Sequence, residues 1–335
     1  MREYIQKLVH KENLTSKEIE DVLYSIMSGG AVEEDIKEFL IVLNEKGPTV
    51  DEITGAAQLL RKFSLEVKTK TKNLLDTCGT GGDGKHTFNI STVAALVAAA
   101  AGATIAKHGN RSVSSKCGSA DILEGLGVNI ALDAKRIGEC IDKIGIGFLF
   151  AQKLHPAMKN VAAARKALGV KTIFNILGPL INPARATHQL MGVYSRELVE
   201  PIANVLGNLG AKRALVVHGA DGLDEVTTTG KTFVAEFNGK EVISYDIDPQ
   251  ELGIPQANED DLKGGDLQEN IAIVNDILDG VEGPKRDVVV INAAYALYAA
   301  EKVESIEEGI QLSHEAINTG KARDKLEELI EFTNN

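Results

Sequence analysis

Along residues 1–65 apolar positions return every three to four residues, the spacing of one helical face after another. Tyr4, Ile5 and Leu8 mark the first face. A second run, LTSKEIEDVLYSIMSGG, carries Thr15 and Glu18 at capping-box spacing and stops at Gly29 and Gly30. A third, AVEEDIKEFLIVLNEKG, ends at Gly47 and Pro48, and Thr49 with Glu52 then caps a fourth, EITGAAQLLRKF. Short amphipathic helices need partner surface, so the pattern predicts a small helical domain or an oligomer interface.

The period is lost in SLEVKTKTKN (64–73), which is polar and cationic and reads as a domain linker. Beyond it the texture changes. LLDT (74–77), ATIAKH (103–108), ALVVHG (214–219) and VVVIN (288–292) read as strands, while STVAALVAAAA (91–101) and HPAMKNVAAARKALG (155–169) read as helices. NILGPLINPA (175–184) reads as a loop leading back into sheet. Continuous apolar strands separated by helices indicate a mainly parallel sheet covered on both faces. FVAEFNGKEVISYDI (233–247) alternates like a hairpin around Asn238 and Gly239. The expected fold class is α/β, with an all-helical N-terminal domain over 1–65 and a large α/β domain over 74–335.

Composition narrows the function. A chain of 335 residues fits about two domains. Its net charge of −12 excludes a whole-surface basic field for nucleic acid or an anionic membrane. An anionic ligand would therefore need a locally cationic pocket or a metal. The three cysteines, Cys78, Cys117 and Cys140, lack CxxC spacing, which suits a reducing compartment and rejects a disulfide framework or zinc ribbon. The start, MREYIQKLVHKENLT, is charged and helix-periodic, unlike a signal peptide, and no uncharged apolar stretch is long enough to span a membrane. The expectation is a soluble, cytoplasmic protein.

Candidate chemistry begins in DTCGTGGDGKHTFNIST (76–92), where Gly79, Gly81, Gly82 and Gly84 follow a strand and precede a helix. Such a loop lets backbone N–H groups converge on an anion, and the helix N-terminus adds to the field. The spacing is neither Walker A nor GxGxxG. A plain tight turn is the alternative; Asp83, Thr87, Asn89, Ser91 and Thr92, crowded behind the glycines, favour phosphate or ribose. A second strand–loop–helix, IAKHGNRSVSSKCGSADILEGLG (105–127), holds Lys107, Arg111 and Lys116 with no acidic residue between them. Its hydrogen-bonding groups are Asn110, Ser112, Ser114, Ser115 and Ser119. In HGADGLDEVTTTG (218–230), Asp224 and Glu225 form an adjacent acid pair of the kind that holds Mg²⁺ for a polyphosphate, although adjacent acids are also common on surfaces.

Taken together, GTGGD (79–83), NIST (89–92), KHGNRSVSSKCGSAD (107–121), LHPAMKNVAAARKALGVKTIFNILGPLINPA (154–184) and HGADGLDEVT (218–227) resemble the anthranilate phosphoribosyltransferase family over nearly the whole chain. Pyrimidine nucleoside phosphorylases share that fold. The resemblance implies transfer of a ribosyl 5-phosphate from phosphoribosyl pyrophosphate to the amine of anthranilate, in tryptophan biosynthesis. It implies that phosphoribosyl pyrophosphate is held by Gly79, Gly82, Asp83, Thr87, Asn89, Ile90, Ser91, Thr92, Lys107, His108, Gly109, Asn110, Arg111, Ser112, Val113, Ser114, Ser115 and Ser119. Anthranilate would meet Gly79, Asn110 and Arg165, with His155 and Pro179 lining its pocket, and Ser91, Asp224 and Glu225 would bind Mg²⁺. Lys107 and Arg165 would be the catalytic pair. The resemblance further implies that part of 155–185 packs into the helical domain, and that the chain forms a homodimer through that domain. Cys117 stands where a serine is more usual in the family pattern.

The implied reaction passes through an oxocarbenium-like state, so the tasks are to stabilise the departing pyrophosphate and to hold the amine in line. His108 and His155 are available as bases, but an aromatic amine has little need of one before attack, and none is assigned. A pyrimidine nucleoside phosphorylase and a non-catalytic nucleic-acid-binding relative are the alternatives.

Overall fold

The computed structural model describes residues 1–112 and 117–335. Val113, Ser114 and Ser115, named above for the phosphate site, lie outside the described residues, as does Lys116. The chain opens with α1 (Arg2–Val9), α2 (Ser16–Met27), α3 (Glu33–Lys46) and α4 (Val50–Phe63). Both capping boxes form, Thr15 with Glu18 and Thr49 with Glu52. Glu52 reaches further. Its buried carboxylate also accepts the Leu14 N–H and the Lys46 ammonium, each at 2.8 Å, and so ties the α1–α2 loop and the end of α3 to α4.

After the helices come β1 (Leu75–Asp76), α5 (Ile90–Ala100), β2 (Ile105–Gly109), α6 (Ser119–Gly125), α7 (Ala134–Ile144) and β3 (Ile146–Phe150). There follow α8 (Ala151–Leu154), α9 (Lys159–Leu168), α10 (Phe174–Leu180), β4 (His188–Gly192), α11 (Val199–Asn208) and β5 (Arg213–Gly219). Then come β6 (Thr232–Phe237), β7 (Val242–Ile247), α12 (Leu267–Leu278), α13 (Pro284–Ala299), α14 (Ile306–Asn318) and α15 (Lys321–Asn334). The described strands form one sheet in the order β3-β2-β1-β4-β5-β6-β7. The first five pair in parallel, and β6 and β7 add the expected antiparallel hairpin, with Gly239 at φ 92° in its turn.

From β1 the chain moves outward to β2 and β3, then returns to β4 on the other side of β1. In an open parallel sheet, ligands settle beyond the carboxyl ends of the strands at such a reversal. The glycine loop leaves β1 there.

Among the described residues, two large apolar cores and a smaller cluster flank the sheet. One gathers α5, α13, α14 and α15. The other joins Ile19, Leu23, Phe39 and Leu60 of the N-terminal helices to Val161, Phe174 and Leu177 of α9 and α10. Asn160 Nδ2 also donates to the Met27 carbonyl at 2.7 Å.

Two expectations need correction. VVVIN is not a strand but lies within α13, which Pro284 starts at its first turn and which is buried almost all round. A helix without a polar face shows no 3.6-residue period and so mimics a buried parallel strand. NILGPLINPA is not all loop, because α10 runs through Gly178 and Pro179. The segment 64–73 is irregular, as its lost period implied, and it is tied down by backbone contacts: the Val67 N–H donates to the Pro183 carbonyl, and the Lys70 and Thr71 N–H groups donate to the Asp142 carboxylate.

Candidate active site

The glycine loop turns by placing Gly81, Gly82 and Gly84 at φ 62°, 78° and 75°, a region where a side chain is strained. Two of its amides are engaged, Thr80 N–H by the Gly192 carbonyl at 2.9 Å and Gly81 N–H by Asp224 Oδ2 at 2.7 Å. The amides of Gly79, Gly82, Asp83 and Gly84 make no hydrogen bond among the described residues. Successive backbone N–H groups left unengaged in such a turn can converge on an anion. Close behind it α5 begins, with Asn89 at its N-cap donating through Nδ2 to the Cys117 carbonyl at 3.1 Å. Asn89 Oδ1 and Thr92 Oγ1 are buried without a hydrogen-bond partner.

The second loop is less cationic than its sequence. Arg111 Nη1 donates to Asp121 at 2.8 Å and to Glu124 at 2.9 Å, so acids of α6 neutralise it. Asp121 also accepts the Ser112 and Gly118 N–H groups and thereby folds the loop back onto α6. Ser119 Oγ accepts the Asn110 N–H at 3.2 Å, and Asn110 Oδ1 accepts Gln152 Nε2 at 3.2 Å. Lys107 is 3% exposed, and its ammonium donates to Thr77 O, Thr77 Oγ1 and Ser91 Oγ at 3.3, 3.0 and 3.3 Å. It underlies Ser91.

Asp224 and Glu225 are half-buried beside the glycine loop. Burial, and then the neighbouring Asp83, hold the Asp224 carboxyl well above the usual carboxylate range. Burial and Asp224 do the same to Glu225, against the pull of Lys107, while the Ser91 N–H donates to Glu225. The turn that carries them lies so close to β4 that a Cβ on Gly192 would come within 1.5 Å of the Asp224 carbonyl oxygen. Gly192 is therefore part of the site's geometry.

Asp76, absent from the sequence-based set, anchors the floor. Its Oδ1 accepts the Cys78 and His108 N–H groups, both at 3.1 Å, and its Oδ2 accepts Asn182 Nδ2 at 2.7 Å. Asn182 Nδ2 also donates to the Ala106 carbonyl at 2.8 Å, so the glycine loop, β2 and the segment after α10 meet at one buried carboxylate. Burial pushes that carboxyl up to about 6 against the pull of Lys107 and these donors. Asp76, Cys78 and His108 each offer a metal-ligating atom within 4.8 Å of the others. Burial raises the Cys78 thiol far above its ordinary value, however, and Asp76 is already saturated with donors, so the trio is a hydrogen-bonded floor.

The opposite wall comes from 155–182. His155 Nε2 lies 3.1 Å from His108 Nε2; burial, then His155, lowers His108 to about 3, and burial, then Arg185, lowers His155 to about 4. Pro179 is buried in α10, its carbonyl accepting Gln189 Nε2 at 2.9 Å. Arg165 is half-buried, its guanidinium 5.4 Å from the Phe174 ring centre, and it makes no ion pair among the described residues. In a chain of net charge −12 a half-buried, unpaired guanidinium suits a carboxylate ligand. Asp76, Asn182 and Gly192 were missed because their partners are remote in sequence, although Asp76 was visible as the acid ending the first strand.

Residues 2–64 match the glycosyl transferase family, helical bundle domain, and residues 71–323 match the glycosyl transferase family, a/b domain. The chain is 52% identical over 334 residues to the anthranilate phosphoribosyltransferase of Acetivibrio thermocellus, an alignment covering 100% of this chain and 97% of that one. The solved anthranilate phosphoribosyltransferase of Thermus thermophilus matches with a TM-score of 0.94 at 42% identity over 99% of each chain. That of Saccharomyces cerevisiae, solved in complex with PRPP and Mg, matches with a TM-score of 0.91 at 28% identity, over 99% of this chain and 97% of that one. With full-length identity of this order and the same two-part architecture, the chain belongs to the anthranilate phosphoribosyltransferase family.

Proposed function

We propose that the chain transfers the 5-phosphoribosyl group of phosphoribosyl pyrophosphate to the amine of anthranilate and releases pyrophosphate, with Mg²⁺ held at Ser91, Asp224 and Glu225. The observation that carries this reading is the pairing of unengaged glycine-loop amides with two half-buried, raised carboxyls at the sheet's reversal point. The donor set is all oxygen, carboxylate and hydroxyl, which suits a hard cation that keeps waters and shares substrate phosphates. Crowding of Asp83, Asp224 and Glu225 leaves negative charge that such a cation relieves. A bound Mg²⁺ would supply neutralising charge to the pyrophosphate.

The chain's own groups then divide the work. Glycine-loop amides and the α5 terminus, with Asn89 and Thr92, hold phosphate oxygens in positions fixed before reaction. Lys107 positions Ser91 from below. Arg165, braced on Phe174, offers two parallel N–H groups to the anthranilate carboxylate, with Gly79, Asn110, His155 and Pro179 around the ring. That aligns the amine with the anomeric carbon, where the N–C bond forms as the C–O bond to pyrophosphate breaks. His108 and His155 stay neutral and face each other, so neither is assigned as the base.

The test follows anthranilate fluorescence with phosphoribosyl pyrophosphate and Mg²⁺. Loss of signal that stops on chelation is expected, and no turnover by folded protein would exclude anthranilate as acceptor. The proposal extends to a homodimer through the helical domain, whose Val9, Tyr24, Val32 and Ile41 are 49, 59, 59 and 39% exposed. Sedimentation should give twice the chain mass; a monomer at micromolar concentration would refute it.

A further inference from the structure

A pyrophosphate ester carries several negative charges, and the cations the sequence offers to it are mostly engaged elsewhere. Arg111 is neutralised by Asp121 and Glu124, Lys85 pairs with Glu259 at 3.1 Å, and Lys107 is buried against Thr77 and Ser91. Lys171 differs. Its exposed side chain reaches the glycine loop, where Nζ donates to the Gly82 carbonyl at 2.8 Å and lies 3.6 Å from the centre of the Tyr194 ring. It makes no ion pair among the described residues. An ammonium has three donors, and a carbonyl with a ring face engages two of them without cancelling the charge.

The mounting on both sides is built. Lys171 comes two residues after Gly169, the left-handed cap of α9 at φ 65°, and just before Thr172, whose N–H donates to Asn175 Oδ1 at 2.9 Å. The helix before it, α9, carries Arg165 and packs on α2 and α3. Tyr194 is fixed to the glycine loop, since its N–H donates to Thr80 Oγ1 at 3.1 Å. The contact thus crosses from the wall that carries the acceptor's anchor to the loop that holds the donor's phosphates.

We propose that Lys171 is a phosphate-binding residue of the donor site, supplied from the wall opposite the glycine loop and resting on Gly82 and Tyr194 until a pyrophosphate group arrives. This rests on the reading of the glycine loop as the pyrophosphate site. A phosphate oxygen, being anionic, is a stronger partner for the ammonium than a neutral carbonyl. Because α9 carries Arg165 and the turn after it carries Lys171, the same wall then grips both substrates.

The experiment measures inhibition by inorganic pyrophosphate, together with KM for phosphoribosyl pyrophosphate and for anthranilate, in wild type, Lys171→Gln and Lys171→Arg. For Lys171→Gln the expected result is a rise of about tenfold in the pyrophosphate inhibition constant and the donor KM, the scale of losing one hydrogen bond to a charged group. The anthranilate KM and Tm should be unchanged, and Lys171→Arg should stay within about threefold of wild type, since it keeps the charge. Raising the salt concentration should narrow the gap between wild type and Lys171→Gln. Equal pyrophosphate inhibition of wild type and Lys171→Gln would overturn the proposal while leaving the glycine-loop reading intact. Failure of wild type to bind pyrophosphate at all would overturn both.

Discussion

At the scale of single residues, the site depends on buried ionisable groups with opposite pH behaviour. His108 and His155, lowered to about 3 and about 4, meet an unfolded-state value near 6.5, so their contribution is fully present above about 6.5 and is lost as pH falls toward 4. Asp76 has the opposite sign, because its carboxyl is raised to about 6 and its ionisation opposes folding as pH climbs from about 4. Asp224 and Glu225, also raised by burial, share the sign of Asp76, so the two histidines supply only the part of the profile in which stability falls on acidification below about pH 6. His155→Gln, which removes one of the two, should flatten that fall in thermal unfolding across pH 4–7. An acid limb of unchanged steepness in the variant would show that His155 does not titrate this way. The sequence made the glycines and the acid pair legible because their chemistry is local. It left Gly192 unread, because nothing in HQLMG announces that the Asp224 backbone passes against it.

At the scale of elements, local signals were reliable wherever an end was polar. Both capping boxes and the Asn238 and Gly239 hairpin formed as read. They failed where an element is buried all round, as in α13, or where turn-forming residues sit inside a short helix, as with Gly178 and Pro179 in α10. The Thr49 and Glu52 box also held more than its sequence stated. Glu52 is fully buried and carries the only ammonium contact that joins the end of α3 to α4 among the described residues. Glu52→Ala would leave the Lys46 ammonium, its side chain 4% exposed, without its counter-ion and two backbone amides without an acceptor. The expected loss is about 3–5 kcal/mol in urea unfolding, the range for breaking a buried pair from one side. A loss under about 1 kcal/mol would mean that water replaces the carboxylate there.

At the scale of the molecule, a chain of net charge −12 brings an ammonium with no ion pair among the described residues against its glycine loop. Arg165 and Lys171 come from the wall shared with the helical domain, and the glycine loop and acid pair come from the sheet. That division was only partly legible in sequence. The motifs named the loops, but the neutralisation of Arg111 by α6 and the reach of Lys171 depend on how remote segments pack. No described helix is long and apolar enough to cross a membrane. The central claim is that Asp224 and Glu225 hold the cation that lets pyrophosphate leave. Its most direct test counts anthranilate consumed and pyrophosphate released by wild type and by the Asp224→Asn, Glu225→Gln double variant, at saturating substrates over a Mg²⁺ titration. One pyrophosphate per anthranilate in wild type, with turnover down at least about a hundredfold in a folded double variant, is the expected result. Equal turnover with the same Mg²⁺ dependence in both proteins would contradict it.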